Sequence, residues 1–130
     1  MTKVLVVDDD PDIRAIVALL LTDAGYEVLT AANGGVGLEA LRREPRLVVL
    51  LDLLMPLVTG YDVMEAVEAD PALAARHRFI IITANRHSMP EEFLGLLEAR
   101  GIPALYKPFD LNDLLEQVDA AARELPAASG

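Results

Sequence analysis

Three consecutive aspartates, Asp8, Asp9 and Asp10, stand directly behind the aliphatic run Val4–Val7. Such a run reads as a strand buried on both faces, so these carboxylates gather at its mouth and repel one another. A further carboxylate, Asp52, interrupts LVVLLDLLMP, in which the nine other residues are apolar. Placed there alone it would carry a desolvation cost unless paired or coordinated. Thr83 and Lys107 close two later apolar runs. The chain has only two lysines, Lys3 and Lys107, against nine arginines, which marks the compact ammonium as specifically wanted where it occurs.

Several carboxylates without histidine or cysteine suit a hard cation that keeps waters and is completed by phosphate, which describes Mg²⁺ better than Zn²⁺. A carboxylate beside such a cation can attack a phosphoryl group and become an aspartyl phosphate. A lysine would neutralise the phosphoryl oxygens and a threonine hydroxyl could donate to one of them. Plainer readings stand beside this one. Asp10 and Asp12 are explained as an N-cap and a first-turn acid, Asp52 and Lys107 as a structural salt bridge, and Thr83 as an ordinary strand residue.

The elements that must position these residues alternate regularly. Strands are expected at Lys3 to Asp8, Glu27 to Ala31, Leu47 to Asp52, Phe79 to Thr83 and Ala104 to Lys107. The first helix begins with Asp10 as N-cap and Pro11 at N1, turns Ile13, Ile16, Val17, Leu20 and Leu21 to one face, and ends at Gly25. A second is expected over Gly35 to Arg43 and a third over Tyr61 to Ala69, stopping near Asp70-Pro71. A fourth should start at Ser88, in capping-box spacing to Glu91, and close at Gly101. A fifth follows Asp110 and carries Leu111, Leu114, Leu115 and Val118. Five βα repeats imply a doubly wound parallel sheet between two helical layers, with right-handed crossovers. In such sheets ligands bind at the carboxyl ends of the strands, where Asp8, Asp9, Asp52, Thr83 and Lys107 would meet.

The 130 residues are read as one domain over 1–122, with 123–130 as a flexible tail or the start of a linker. Zero cysteines exclude disulfides and thiol chemistry, and two histidines disfavour a histidine metal site. No apolar run reaches membrane-span length and MTKVLVVDDD does not read as a signal peptide, so a cytoplasmic protein is expected. The net charge of -10 argues against direct nucleic-acid binding.

The motifs VVDDDPDIR, DLLMP with Gly60 four places beyond Pro56, ITA at residues 82–84 and KPF at 107–109, in this order and spacing, resemble the receiver domain of two-component response regulators. The resemblance covers about Lys3 to Val118. It implies a flavodoxin-like fold with strand order 2-1-3-4-5. It further implies Asp52 as phosphoacceptor, Asp8, Asp9, Asp52 and the Leu54 carbonyl as Mg²⁺ ligands, and Thr83, Lys107 and the Ala84 backbone as the phosphoryl-binding and switch groups. Pro56, Gly60 and Pro108 would be turn residues, with a cis bond at Lys107-Pro108. The implied partner is a histidine kinase or histidine phosphotransfer protein, and the domain is expected to act as a signal carrier rather than as an enzyme with a separate substrate.

Two features depart from the family pattern. Ala104 stands where receivers often carry a Tyr or Phe that reports phosphorylation, and Thr59 stands where many have Asp. Tyr106, on the same sheet face as Ala104 by strand alternation, is expected as a surface contact. Tyr106 and Phe109 are candidates for an output face, and the helix SMPEEFLGLLEARG with the strand ALY for docking or homodimer formation. Leu54 and Asn85 occupy positions thought in this family to influence dephosphorylation. Two other classes share these features in part. A flavin carrier is disfavoured because DDDPD would repel a flavin phosphate. A phosphatase is disfavoured because no second acid lies within two residues of Asp52.

Overall fold

The computed structural model describes residues 1–84 and 89–127. Its strands are β1 (Lys3–Val7), β2 (Glu27–Ala31), β3 (Val48–Asp52), β4 (Arg78–Thr83) and β5 (Ala104–Tyr106). All pair in parallel, in the order β2-β1-β3-β4-β5. The helices are α1 (Pro11–Asp23), α2 (Gly34–Arg43), α3 (Gly60–Glu68), α4 (Pro71–Arg76), α5 (Glu91–Arg100) and α6 (Leu111–Glu124).

Strand alternation divides the core into two clusters. Val4, Val6, Val48, Leu50 and Ile80 meet Val17 and Leu21 of α1 and Leu114 and Val118 of α6. Leu5, Val7, Val49, Leu51 and Ile81 meet Leu41 of α2, Val63 and Met64 of α3, Leu73 of α4 and Phe93 of α5. β3, buried at every residue, runs through the middle of this three-layer sandwich. The expected fold class and strand order are therefore observed.

Local chemistry sets most boundaries. Asp10 accepts from the Asp12 and Ile13 N–H groups at 2.9 and 3.4 Å, and Asn33 caps α2 at the Val36 N–H. Thr59 and Asp62 form a reciprocal capping box at α3. Gly101, with φ +65°, closes α5 in the left-handed region that favours glycine.

Several expectations need correction. Asp70-Pro71 does not only stop α3: Asp70 accepts from the Ala72 and Leu73 N–H groups, so the pair starts α4 and the helices among the described residues number six rather than five. α5 begins at Glu91 behind Pro90, which has no capping side chain, while Ser88 lies outside the described residues. Ile16 and Leu111, placed on apolar helix faces by periodicity, are 52% and 41% exposed because each lies at the margin of its buried stripe. α6 continues through Glu124, two residues into the segment expected as tail.

His77 ties the layers together at the end of the sheet where β3 and β4 begin. It is buried, accepts at Nδ1 from the Leu47 N–H at 2.9 Å and donates from Nε2 to the Leu41 carbonyl at 2.8 Å. One acceptor and one donor define the neutral tautomer. Burial holds its pKa below the ordinary histidine value, outweighing the Leu41 hydrogen bond, and the Arg76 and Arg78 charges push the same way.

Candidate functional site

The parallel register carries the chemistry-bearing residues to one edge. Val7 pairs with Leu51, Asp52 with Ile82 and Thr83 with Tyr106, so the chain segments leaving β1, β3, β4 and β5 emerge side by side. Asp8 is wholly buried, Asp52 is 3% exposed and Asp9 is exposed. Each of the three can present a carboxylate oxygen within 4.8 Å of the others.

Each buried acid is fixed by backbone donors. Asp8 Oδ1 accepts from the Asp10 N–H at 2.9 Å, and Asp52 Oδ1 from the Leu54 N–H at 3.3 Å. The guanidinium of Arg14 donates to the Asp8 carbonyl at 2.7 Å and holds the strand end in place. That positioning role was not evident beforehand; the available signal was one basic residue a helical turn beyond a run of acids. Opposite them, Lys107 Nζ lies 2.8 Å from Asp8 Oδ2 and 3.5 Å from Asp52 Oδ2. The closer contact is an ion pair without hydrogen-bond alignment, so Asp8 Oδ2 is buried with no hydrogen-bond partner.

Burial raises the Asp52 pKa to about 6, helped by the negative charge of Asp8 and opposed by Lys107 and the Leu54 N–H. For Lys107, burial acts to lower the pKa, but Asp8 and Asp52 outweigh it and the net shift is upward. One ammonium thus serves two buried carboxylates and leaves Asp52 short of compensation. A buried carboxylate oxygen whose one partner is the Lys107 charge, an underpaired neighbour and an exposed third acid form an oxygen-only donor set, which fits a hard divalent cation such as Mg²⁺.

The loop after β3 is shaped around Asp52. A Cβ on Gly60 would sit 2.3 Å from the Asp52 carbonyl oxygen and 2.7 Å from the Leu53 Cα, so only glycine lets α3 start against the strand end. The Gly60 N–H donates to the Leu53 carbonyl at 3.1 Å. Leu54 is 47% exposed, Met55 is buried and Pro56 is exposed. Leu57 lies at φ 67° and is 98% exposed.

On the far side, Thr83 is buried at the end of β4, and its carbonyl accepts from the Lys107 N–H at 2.9 Å. Ala84 is exposed, and Asn85 lies outside the described residues. The Lys107-Pro108 bond is cis, as the resemblance implied. Tyr106 and Ala104 share a sheet face, and Tyr106 is half-buried against the cluster beneath α2 to α5. Phe109, also half-buried, packs against the opposite cluster. Lys3, the other lysine, is remote from this edge and pairs with Glu44 at 2.9 Å and Glu27 at 3.7 Å.

Residues 4–119 match the family model of the response regulator receiver domain. The chain belongs to that family. Among curated relatives, this receiver domain is 33% identical over 129 residues to the transcriptional regulatory protein KdpE of Mycobacterium tuberculosis, covering 99% of this chain and 54% of that protein. It is 31% identical over 121 residues to the DNA-binding response regulator MtrA of Mycolicibacterium smegmatis, covering 93% of this chain and 50% of that one. The chain spans about half the length of these relatives. Among solved structures, a CheY-like receiver from Methanospirillum hungatei superposes with a TM-score of 0.81 at 32% identity, covering 95% of this chain and 98% of that one. Response regulator TrrA of Thermotoga maritima, solved in complex with Mg²⁺ and BeF, gives 0.76 at 30% identity over 93% and 99% of the two chains. No helix among the described residues is long and apolar enough to cross a membrane.

Proposed function

We infer that this receiver accepts a phosphoryl group on Asp52 from a histidine kinase or histidine phosphotransfer protein, in a Mg²⁺-dependent reaction, and that the modified state changes partner binding. The observation that carries this reading is the buried Asp52 carboxylate, short of compensation between Asp8, Asp9 and Lys107. A carboxylate with a pKa of about 6 is ionised at neutral pH and therefore nucleophilic. One of its oxygens forms the new O–P bond as the P–N bond of the phosphohistidine breaks, and the leaving imidazole keeps that electron pair.

Asp8, Asp9, Asp52 and the Leu54 carbonyl would hold the cation, which when bound supplies positive charge against the phosphoryl oxygens. Lys107 would bind a phosphoryl oxygen as a point charge, giving up part of its present pairing with Asp8 and Asp52 to do so. Thr83 and the Ala84 backbone supply hydrogen-bond donors at the end of β4. The TrrA structure, in complex with Mg²⁺ and BeF, supports a Mg²⁺-dependent reading here. The receiver unit extends through α6, and a homodimer through α5, β5 and α6 is the proposed assembly of the modified state. The transcriptional regulators among its relatives support an output in gene regulation, exerted without direct nucleic-acid contact by this acidic unit.

The test is labelling by a small phosphodonor such as acetyl phosphate. Label is expected with Mg²⁺, absent with chelator and absent in Asp52→Asn. Undiminished labelling of Asp52→Asn would overturn the assignment.

A further inference from the structure

At the opposite end of the sheet, an open cavity of about 410 Å³ beside His77 is lined by Glu68, Arg78 and Arg100, and its acid is paired with Arg100 at 2.7 Å; a second, of about 610 Å³, carries three arginines. Arg43, Arg46 and Arg76 line it, with Glu44, Pro45 and Pro126. The chain has 21 acids against 11 basic residues. Yet neither Arg46 nor Arg76 has one within ion-pair distance among the described residues. Glu44, the acid at the cavity wall, is already engaged by Lys3 at 2.9 Å and Arg43 at 3.3 Å.

These guanidiniums are also held in place. Arg76 Nη2 donates to the Leu41 and Arg42 carbonyls at 2.9 and 3.0 Å, and Arg46 Nη1 to the Pro126 carbonyl at 2.5 Å. Arg76 Nε is buried without a hydrogen-bond partner. A helix-end role explains one nitrogen of Arg76, at the α2 carbonyls, but not Arg46, which lies outside any helix. Anchoring by one nitrogen leaves Arg76 Nη1 and the other two nitrogens of Arg46 already fixed and without a protein partner among the described residues, which lowers the ordering cost of binding.

The geometry points to a binding site for a small phosphate-bearing anion between Arg43, Arg46 and Arg76. Planar guanidinium forks match phosphate oxygens two at a time, and the volume falls in the ordinary range of small-molecule sites. Arg46 precedes β3 and Asp52 ends it, so the site stands roughly 20 Å from the acidic cluster at the usual strand rise. It is independent of phosphoryl acceptance at Asp52.

The test is calorimetric titration of the Mg²⁺-free protein with inorganic pyrophosphate. Saturable one-to-one binding is expected, weakened about tenfold or more in Arg46→Gln and in Arg43→Gln and unchanged in Asp52→Asn. Thermal unfolding confirms that each variant folds, and Arg43→Gln, at an exposed position, carries the test if Arg46→Gln does not. No saturable binding, or equal binding by wild type and both arginine variants, overturns the proposal. Tighter binding of a double-stranded oligonucleotide than of pyrophosphate overturns it too, because the patch would then be a polyanion surface.

Discussion

Lys107 Nζ stands 2.8 Å from Asp8 Oδ2, and that contact is the only compensation reaching a wholly buried carboxylate oxygen among the described residues. Before any phosphoryl group arrives, the lysine is therefore a structural counter-ion. Truncating it in Lys107→Ala leaves Asp8 and Asp52 buried and facing each other, with a cost of about 3 kcal/mol. Chemical denaturation without Mg²⁺ should show that loss. Added Mg²⁺ should recover much of it, because a cation among the three acids replaces the missing charge. Equal stability of variant and wild type without the cation would contradict this role.

Asp52 makes stability depend on pH in a definite direction. Its folded pKa, about 6, is above the ordinary 3.8, so between these values the folded protein keeps a proton that the unfolded chain has released. Stability therefore falls as pH rises through this window, and the full penalty applies above it. Asp52→Asn removes the penalty. Without Mg²⁺ the variant should be more stable than wild type at pH 7 by roughly 2–3 kcal/mol, with the difference closing toward pH 4. Unfolding curves across that range check it, and a gap that widens toward acid would have the wrong sign.

The site residues were legible in the sequence because their types clash with their surroundings. Asp52 within an apolar run and Asp8 at the mouth of another could only be explained by partners, and strand ends in a parallel sheet told where those partners meet. Asp10 was legible for the opposite reason, since capping accounts for it completely. Tyr106 and Phe109 were not legible, because strand alternation gives a face but not what lies above it; each is half-covered by a different helical layer. α4 was hidden because Asp-Pro marks both the stop of one helix and the start of the next. His77 gave no signal at all. Its role depends on carbonyl and amide groups thirty or more residues distant in sequence.

His77 should produce a pH slope opposite to that of Asp52. Its folded pKa is depressed below 6.5, so the unfolded chain binds the proton first as pH falls. The contribution is fully present above about pH 6.5 and is lost on acidification below it, since a protonated ring cannot accept from the Leu47 N–H. His77→Gln should cost about 1–3 kcal/mol at pH 7 through its imperfect hydrogen bonding. It should also remove this acid-side loss. Stability measured on both proteins between pH 5 and pH 8 separates the effects, and an unchanged slope in the variant would show that another group titrates.

Gly60 links the fold to the chemistry through backbone rather than charge. The atoms a Cβ would meet are the Asp52 carbonyl oxygen at 2.3 Å and the Leu53 Cα at 2.7 Å, and neither can rotate away as a side chain would. Gly60→Ala must then push α3 back from the end of β3 or twist the Asp52 peptide, at a cost of about 3 kcal/mol. Either movement also disturbs the Leu54 N–H that accounts for part of the Asp52 carboxylate's setting. The expected result is a lower melting temperature together with slower labelling by acetyl phosphate in protein that is still folded. Gly35→Ala provides the comparison, because its Cβ would meet only the Asn33 side-chain oxygen, at 3.3 Å. That variant should label at the wild-type rate, and slow labelling in both would show that the effect is not specific to the Asp52 backbone.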